Sequence, residues 1–271
     1  MVAPATDPIG LESAEILAEL GFDYIELSLA HLAALSPRSF ADAATRLERA
    51  GLACEACNNF FPPHIRLTGR DADLGVALTY ARQALARAAS IGARVVVFGS
   101  SGAKNIPPGW ARDQAWLQVV ELLRHLGPLA ASHAVVIVIE PINREESNFI
   151  NRAEEGLRLA TEVGHPNVQL LVDFYHLLME GEDPEIVLRA GPAIRHLHVA
   201  DVDGRRFPRT IGPATSELFD RLRRAGYEGR CSIEAFTDDV RTDAGLSLRL
   251  LRQEAARTSG PDTRRGTGAK L

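Results

Sequence analysis

VVIVIEP (135–141), VQLLVDFYH (168–176), IRHLHVAD (194–201) and CSIEAF (231–236) are four successive apolar runs, and each ends on a carboxylate or an imidazole. The end residues are Glu140, Asp173, His198 and Glu234, separated by 33, 25 and 36 residues. Each gap has room for one strand, one crossover helix and the return, so the runs read as parallel strands. In a closed parallel barrel the C-terminal ends of the strands meet around one mouth. Two glutamates, an aspartate and a histidine would converge there. So oxygen-rich a set suits a divalent ion, Mn²⁺ first, with Mg²⁺ or Co²⁺ as alternatives.

The rest of the chain keeps the same alternation. Strands are expected at 22–29, 52–58 and 94–100, and helices at 11–20, 36–50, 70–92, 111–131, 152–163, 183–191, 215–225 and 243–256. Counted together these are seven strands and eight helices. Only MVAPATDPIG precedes the first helix, and Pro4 and Pro8 each lack a ladder N–H. The fold class is therefore α/β, a TIM (β/α)8 barrel whose first strand is degenerate or missing. A gap, or an irregular stand-in from residues 1–10, is expected beside the strands 22–28 and 231–236. Residues 1–256 form one catalytic barrel domain, and 257–271, with no apolar anchor, read as a disordered tail.

Bulk properties exclude several classes. A net charge of -5 and the lack of a basic block argue against nucleic acid. No stretch is long and apolar enough to span a membrane, and the N-terminus lacks the marks of a signal peptide, which points to the cytoplasm. Cys54 and Cys57 have CxxC spacing but no second pair, so they read as buried structural thiols. The loop GSSGAKNIPPGW (99–110) lacks the spacing of a phosphate cradle.

A lone carboxylate is expensive to bury at the end of an apolar strand, so Glu140, Asp173 and Glu234 read as functional. His198 lies nearer the strand end than His196, which is expected to be a packed core imidazole. Glu26 ends FDYIEL and reads either as a supporting acid or as a buried ion-pair partner. His176 is placed in a loop above the mouth, and Arg205 or Arg206 could reach a polyhydroxyl substrate. Two carboxylates flanking a metal suit proton transfer on a keto sugar through a cis-enediolate.

EPINREESNFIN (140–151), DFYH (173–176), HLHVADVDGRRFP (196–208) and SIEAF (232–236) together resemble the sugar isomerase/epimerase barrels related to D-tagatose 3-epimerase and D-psicose 3-epimerase. The resemblance runs from GFDYIEL to about residue 255. It implies Glu140, Asp173, His198 and Glu234 as metal ligands and Glu140 and Glu234 as the acid/base pair. Glu146, His176 and either Arg205 or Arg206 correspond to substrate contacts, and the family often forms dimers or tetramers. The family's arginine lies six residues past the metal-binding histidine, where this chain has Gly204. Hydroxypyruvate isomerases, inosose isomerases or dehydratases and C-glycoside-cleaving enzymes share the barrel and remain alternatives. A metal-holding barrel without catalysis is the reading outside the enzymes.

Overall fold

Strand side chains point alternately to opposite faces, and this period of two sorts the residues of the barrel. The computed structural model describes residues 9–257. Seven parallel strands pair in chain order: β1 (Tyr24–Ser28), β2 (Ala53–Asn58), β3 (Val95–Phe98), β4 (Val136–Ile139), β5 (Val168–Asp173), β6 (Ile194–Val199) and β7 (Arg230–Ile233). The major helices are Pro37–Ala50, Leu74–Ser90, Arg112–Ser132, Ala153–Val163, Pro213–Arg224 and Val240–Ala255. This is a TIM-type barrel, nearly closed, with seven strands among the described residues.

Buried apolar side chains separate by parity. Val96, Phe98, Ile137, Ile139, Leu170 and Val172 join the large core that includes helix residues such as Leu85, Leu123 and Leu159. The alternate residues Val97, Val138 and Leu171 form a second, small cluster with the half-buried Val95 and Val136. That second set fills the barrel interior. Two residues further along the same faces stand Gly99, Glu140 and Asp173. The apolar plug thus lies directly beneath the polar residues.

The sheet order ends at β1 and β7, and no ladder joins them among the described residues. Side chains bridge the two instead. Tyr24 Oη lies 2.7 Å from Ser232 Oγ, and Ser232 donates to Glu26 Oε2 at 2.5 Å. Ser28 N–H donates to the carbonyl of Ile9 at 3.1 Å, so a residue ahead of the first helix takes one backbone bond from β1. Residues 1–8, where the irregular stand-in was expected, and 258–271 of the expected tail lie outside the described residues.

Several boundaries differ from the periodicity, each for a local reason. The expected helix 70–92 runs Leu74–Ser90, because the Asp73 side chain accepts from Val76 N–H at 2.9 Å and caps it there. Leu29–Ala34, Ser101–Lys104 and Phe174–Met179 are helices of six residues or fewer. Fewer than two turns leave no 3.6-residue pattern to read. The last of them corrects the placement of His176. It sits in a helix capped by Asp173, whose Oδ1 accepts from Tyr175 N–H at 2.8 Å, and not in an open loop. Cys54 and Cys57 are buried free thiols.

The helix Ala153–Val163 approaches the sheet through Gly156. A Cβ there would lie 2.7 Å from Leu170 Cδ1 and 2.9 Å from Pro141 Cγ. Gly156→Val should therefore pry the helix from the sheet, costing about 1–3 kcal/mol. Thermal unfolding checks this as a lowered Tm with the far-UV circular dichroism unchanged.

Candidate metal centre and acid/base site

The end of β4 delivers Glu140, whose N–H donates to the Phe98 carbonyl at 3.2 Å. Asp173 closes β5, His198 lies in β6, and Glu234 follows β7. All four are buried. His198 stands between the others: Nδ1 lies 2.9 Å from Glu140 Oε1 and 3.2 Å from Glu234 Oε2. Its Nε2 lies 3.0 Å from Glu26 Oε1. Glu140, Asp173, His176 and Glu234 each offer a ligand atom within 4.8 Å of the others. Three of the four expected ligands thus fall in one group with His176, while His198, in contact with Glu140 and Glu234, groups instead with Glu26 and His196.

Arg205 and Arg206 part company. Arg205 has φ +50, in the left-handed region that non-glycine residues seldom enter, and follows Gly204 at φ +68. The turn throws its guanidinium inward. Nη2 donates to Glu234 Oε2, Nη1 donates to Glu146 Oε2 at 2.9 Å, and the group lies 5.0 Å from the centre of the Tyr175 ring. Arg206 is half exposed and donates to Asp238 at 3.0 Å, outside the cluster. Glu146 is positioned by a turn that Asn143 builds, its Oδ1 accepting from Glu145 N–H at 3.0 Å and Glu146 N–H at 3.2 Å. Asn143 N–H also donates to His176 Nδ1 at 3.3 Å.

Three contributors went unread in the sequence. Asn58, at the end of β2, donates Nδ2–H to Glu234 Oε1 at 3.0 Å. Lys104 is fully buried and donates from Nζ to the Glu140 carbonyl at 3.0 Å. Gly99 leaves room for the Glu140 carboxylate. An Asn at a strand end carries the same positional signal as Glu140, so Asn58 could have been found. Lys104 ends the four-residue helix Ser101–Lys104, which is too short to show a period. His196, expected as a core imidazole, is buried, but its Nε2 lies 2.9 Å from Glu26 Oε2.

The electrostatics are those of crowded carboxylates with little solvent. Burial, joined by the nearby carboxylates of Glu234 and Glu140, pushes the Asp173 carboxyl up to about 7 against His198 and Arg205. Burial also raises Glu234, but His198 and Arg205 more than offset it and hold it below the carboxylate range. Burial lowers His198, yet the carboxylates of Glu26 and Glu234 hold it well above its ordinary value. Burial and then Arg205 keep His176 neutral, down at about 3. Burial brings the Lys104 ammonium down to about 8 against the pull of Glu140. Asp173 Oδ2 is buried without a hydrogen-bond partner. Its contacts are longer, 3.7 Å to Arg205 Nη2 and 3.6 Å to His176 Nε2, and an oxygen so placed among other carboxylates fits a divalent cation, which would neutralise the set.

Residues 14–254 match the sequence model of the xylose isomerase-like TIM barrel. The chain belongs to that family. Among its relatives is an L-ribulose 3-epimerase of Mesorhizobium japonicum, 31% identical over 137 residues, covering 50% of this chain and 45% of that protein. A hydroxypyruvate isomerase of Escherichia coli is 29% identical over 143 residues, 52% of this chain and 55% of that protein. The chain thus spans about half the length of the curated relatives it matches. A D-allulose 3-epimerase from Methylomonas sp., solved with D-allulose, superimposes with a TM-score of 0.81 at 23% identity, covering 90% of each chain, which is a likeness of fold. No described helix is long and apolar enough to cross a membrane.

Two measurements probe the site. A Cβ at Gly99 would lie 2.0 Å from Glu140 Oε2. Gly99→Ala should displace that carboxylate and weaken divalent-ion binding by about tenfold or more, read by calorimetry, with the Tm of the metal-free protein nearly unchanged. The second concerns Asp173, whose raised folded pKa lets the native state keep a proton that the unfolded chain loses. Without metal this group costs stability progressively as pH rises from about 4 to about 7. Asp173→Asn keeps the oxygen that caps Tyr175 but cannot ionise. Its stability relative to wild type should improve by on the order of 2–4 kcal/mol between about pH 4 and about pH 8, measured by urea unfolding with chelator present.

Proposed function

We propose that this protein is a metal-dependent isomerase or epimerase of small 2-keto sugars. The observation that carries this reading is the meeting of Glu140 and Glu234 at one histidine nitrogen, 2.9 and 3.2 Å away, beside the unpartnered oxygen of Asp173. Glu140, Asp173, His198 and Glu234 would hold the ion, with Mn²⁺ the proposed metal. When bound, the ion supplies the positive charge that acidifies a C–H next to a ketose carbonyl.

The chain's own residues do the proton work. Glu140 and Glu234 come from different strands and face the same imidazole nitrogen. One takes the proton from the carbon beside the carbonyl, leaving a cis-enediolate. The other returns a proton. Return to the opposite face of the same carbon inverts it, which is epimerisation. Return to the neighbouring carbon interconverts ketose and aldose. Asn58 and Arg205 fix the orientation of the Glu234 carboxylate through one oxygen each. His176 stays neutral, so it can share a hydrogen bond with a sugar oxygen without adding charge. Glu146 and Arg205 line the same side, and Arg205 rather than Arg206 is assigned to the substrate. Burial of the floor by Val97, Val138 and Leu171 excludes water from below.

Hydroxypyruvate isomerisation is the second reading, favoured by the Escherichia coli relative. A homodimer or tetramer is the proposed assembly. Turnover of a panel of ketopentoses, ketohexoses and hydroxypyruvate with Mn²⁺ separates the readings. A ketose epimerised at C3 supports the first, and hydroxypyruvate alone supports the second. A protein that binds the metal but turns over none of them is a non-catalytic barrel. In an active protein, Glu140→Gln and Glu234→Gln should each cut turnover by about 10²–10⁴-fold at matched metal occupancy. Wild-type rates in either variant would remove that residue from the pair.

A further inference from the structure

Glu26 lies outside the ring of strand-end ligands, yet three side chains engage its carboxylate. It is 3% exposed. Oε1 faces His198 Nε2 at 3.0 Å, while Oε2 faces His196 Nε2 at 2.9 Å and accepts from Ser232 Oγ at 2.5 Å. Ser232 is steadied in turn by Tyr24 Oη at 2.7 Å. Every partner of this carboxylate is thus a donor. β1 is brought into place by a register slip against β2, where Ile25 pairs with Cys54 but Glu26 pairs with Ala56. The slip passes over Glu55, the extra residue of a bulge, and bulges re-aim side chains.

We propose that Glu26 is a positioning residue for His198: it holds the proton on Nε2, so that Nδ1 is the nitrogen presented to the metal. The inference deepens the proposed function and rests on its metal site. An ionised carboxylate only accepts hydrogen bonds. Each ring nitrogen of His198 faces a carboxylate, Nε2 that of Glu26 and Nδ1 those of Glu140 and Glu234, so a cation held among the latter would take the place of the Nδ1 hydrogen and leave the other on Nε2. When the ring is neutral its lone pair is then on Nδ1, which faces Glu140 and Glu234. Each contact of the Glu26 carboxylate is with a group able to donate a hydrogen, the setting of an ionised carboxylate.

His196 and Ser232 serve the same end from the other side. They occupy Oε2, so the carboxylate cannot rotate away from His198 without breaking two further bonds. This separates Glu26 from a simple ion-pair partner of the core, which would need only His196. A glutamine in its place offers one oxygen and one NH₂. If the NH₂ meets His198, the ring proton must move to Nδ1 and the metal nitrogen is lost. If the oxygen meets His198, the bond to Nε2–H survives but loses its charge assistance. Either way the imidazole becomes a weaker ligand, as with other metal-binding histidines that lose their carboxylate.

The test uses Zn²⁺, a diamagnetic ion with affinity for imidazole, and the full-length protein labelled with ¹⁵N-histidine. In the Zn²⁺ complex the His198 signals should show Nε2 protonated, its hydrogen slow to exchange, and Nδ1 bound to the ion. Glu26→Gln and Glu26→Ala should weaken Zn²⁺ by about 10–100-fold by calorimetry and speed loss of the Nε2 hydrogen. Glu26→Asp, which keeps the charge, should recover part of the affinity. Zn²⁺ on Nε2 in the wild type, or undiminished affinity in Glu26→Gln, overturns the proposal. The wild-type spectrum decides the nitrogen even should Glu26→Ala fail to fold. A wild type that binds Zn²⁺ through Nδ1 yet converts no ketose overturns the proposed reaction and supports the role of Glu26. Ketose turnover retained alongside undiminished Zn²⁺ affinity in Glu26→Gln does the reverse.

Discussion

The imidazole of His198, with a carboxylate on each nitrogen, is the contact on which the interior of the barrel depends. Through Glu26 it reaches β1, through Glu140 the end of β4, and through Glu234 the end of β7. One ring therefore joins opposite walls of the barrel, near the side where no strand ladder joins β1 to β7 among the described residues. Hydrogen bonds to charged groups in a low dielectric are strong when fully satisfied, and costly when one member is removed. The same contact that closes the wall also holds two glutamates close together at the mouth. Closure and chemistry are thus coupled in this chain.

The interior is built against its own stability. Glu26, Lys104, Glu140, Asp173, His176, His196, His198 and Glu234 are all buried. Each pays a desolvation cost that a leucine would not. The chain offsets the cost locally, with Arg205 against Glu234 and Glu146, Lys104 against the Glu140 carbonyl, and Asn58 against the remaining Glu234 oxygen. Asp173 Oδ2 is left over. Arg205 Nη2 stands 3.7 Å from that oxygen, near enough to attract it and too far to hydrogen-bond it. The apolar plug of Val97, Val138 and Leu171 bears the packing beneath it, and so frees the layer above for polar side chains.

Much of this was legible because strands have a short, rigid period. Val136, Val138 and Glu140 share a face by parity alone, as do Leu171 and Asp173, or His196 and His198. The strand ends so read bring Glu140, Asp173 and Glu234 into one group, with His198 touching two of them, and the CxxC pair is buried as expected. The limits were equally physical. Helices of a turn or so carry no pattern, so the helix Phe174–Met179 was missed and His176 was placed in a loop. Arg205 and Arg206 are adjacent in a loop, where no period distinguishes in from out. The left-handed backbone at Gly204 and Arg205 made that choice. Lys104 gave no signal either, because its partner is a backbone carbonyl 36 residues away.

The sequence by itself determined the βα alternation, the parity of every strand and the residue type at each strand end, since these follow from local sterics and hydrophobic period. Only the tertiary structure decided how the two free ends of the sheet are reconciled, because Tyr24, Glu26 and Ser232 meet from opposite ends of the chain. It likewise decided that Glu26 belongs to His198 as well as to His196, that Arg205 points inward, and that Asp173 keeps one oxygen without a hydrogen bond. Each of these depends on the distance between side chains far apart in sequence, which the curvature and stagger of the barrel set and no local pattern encodes.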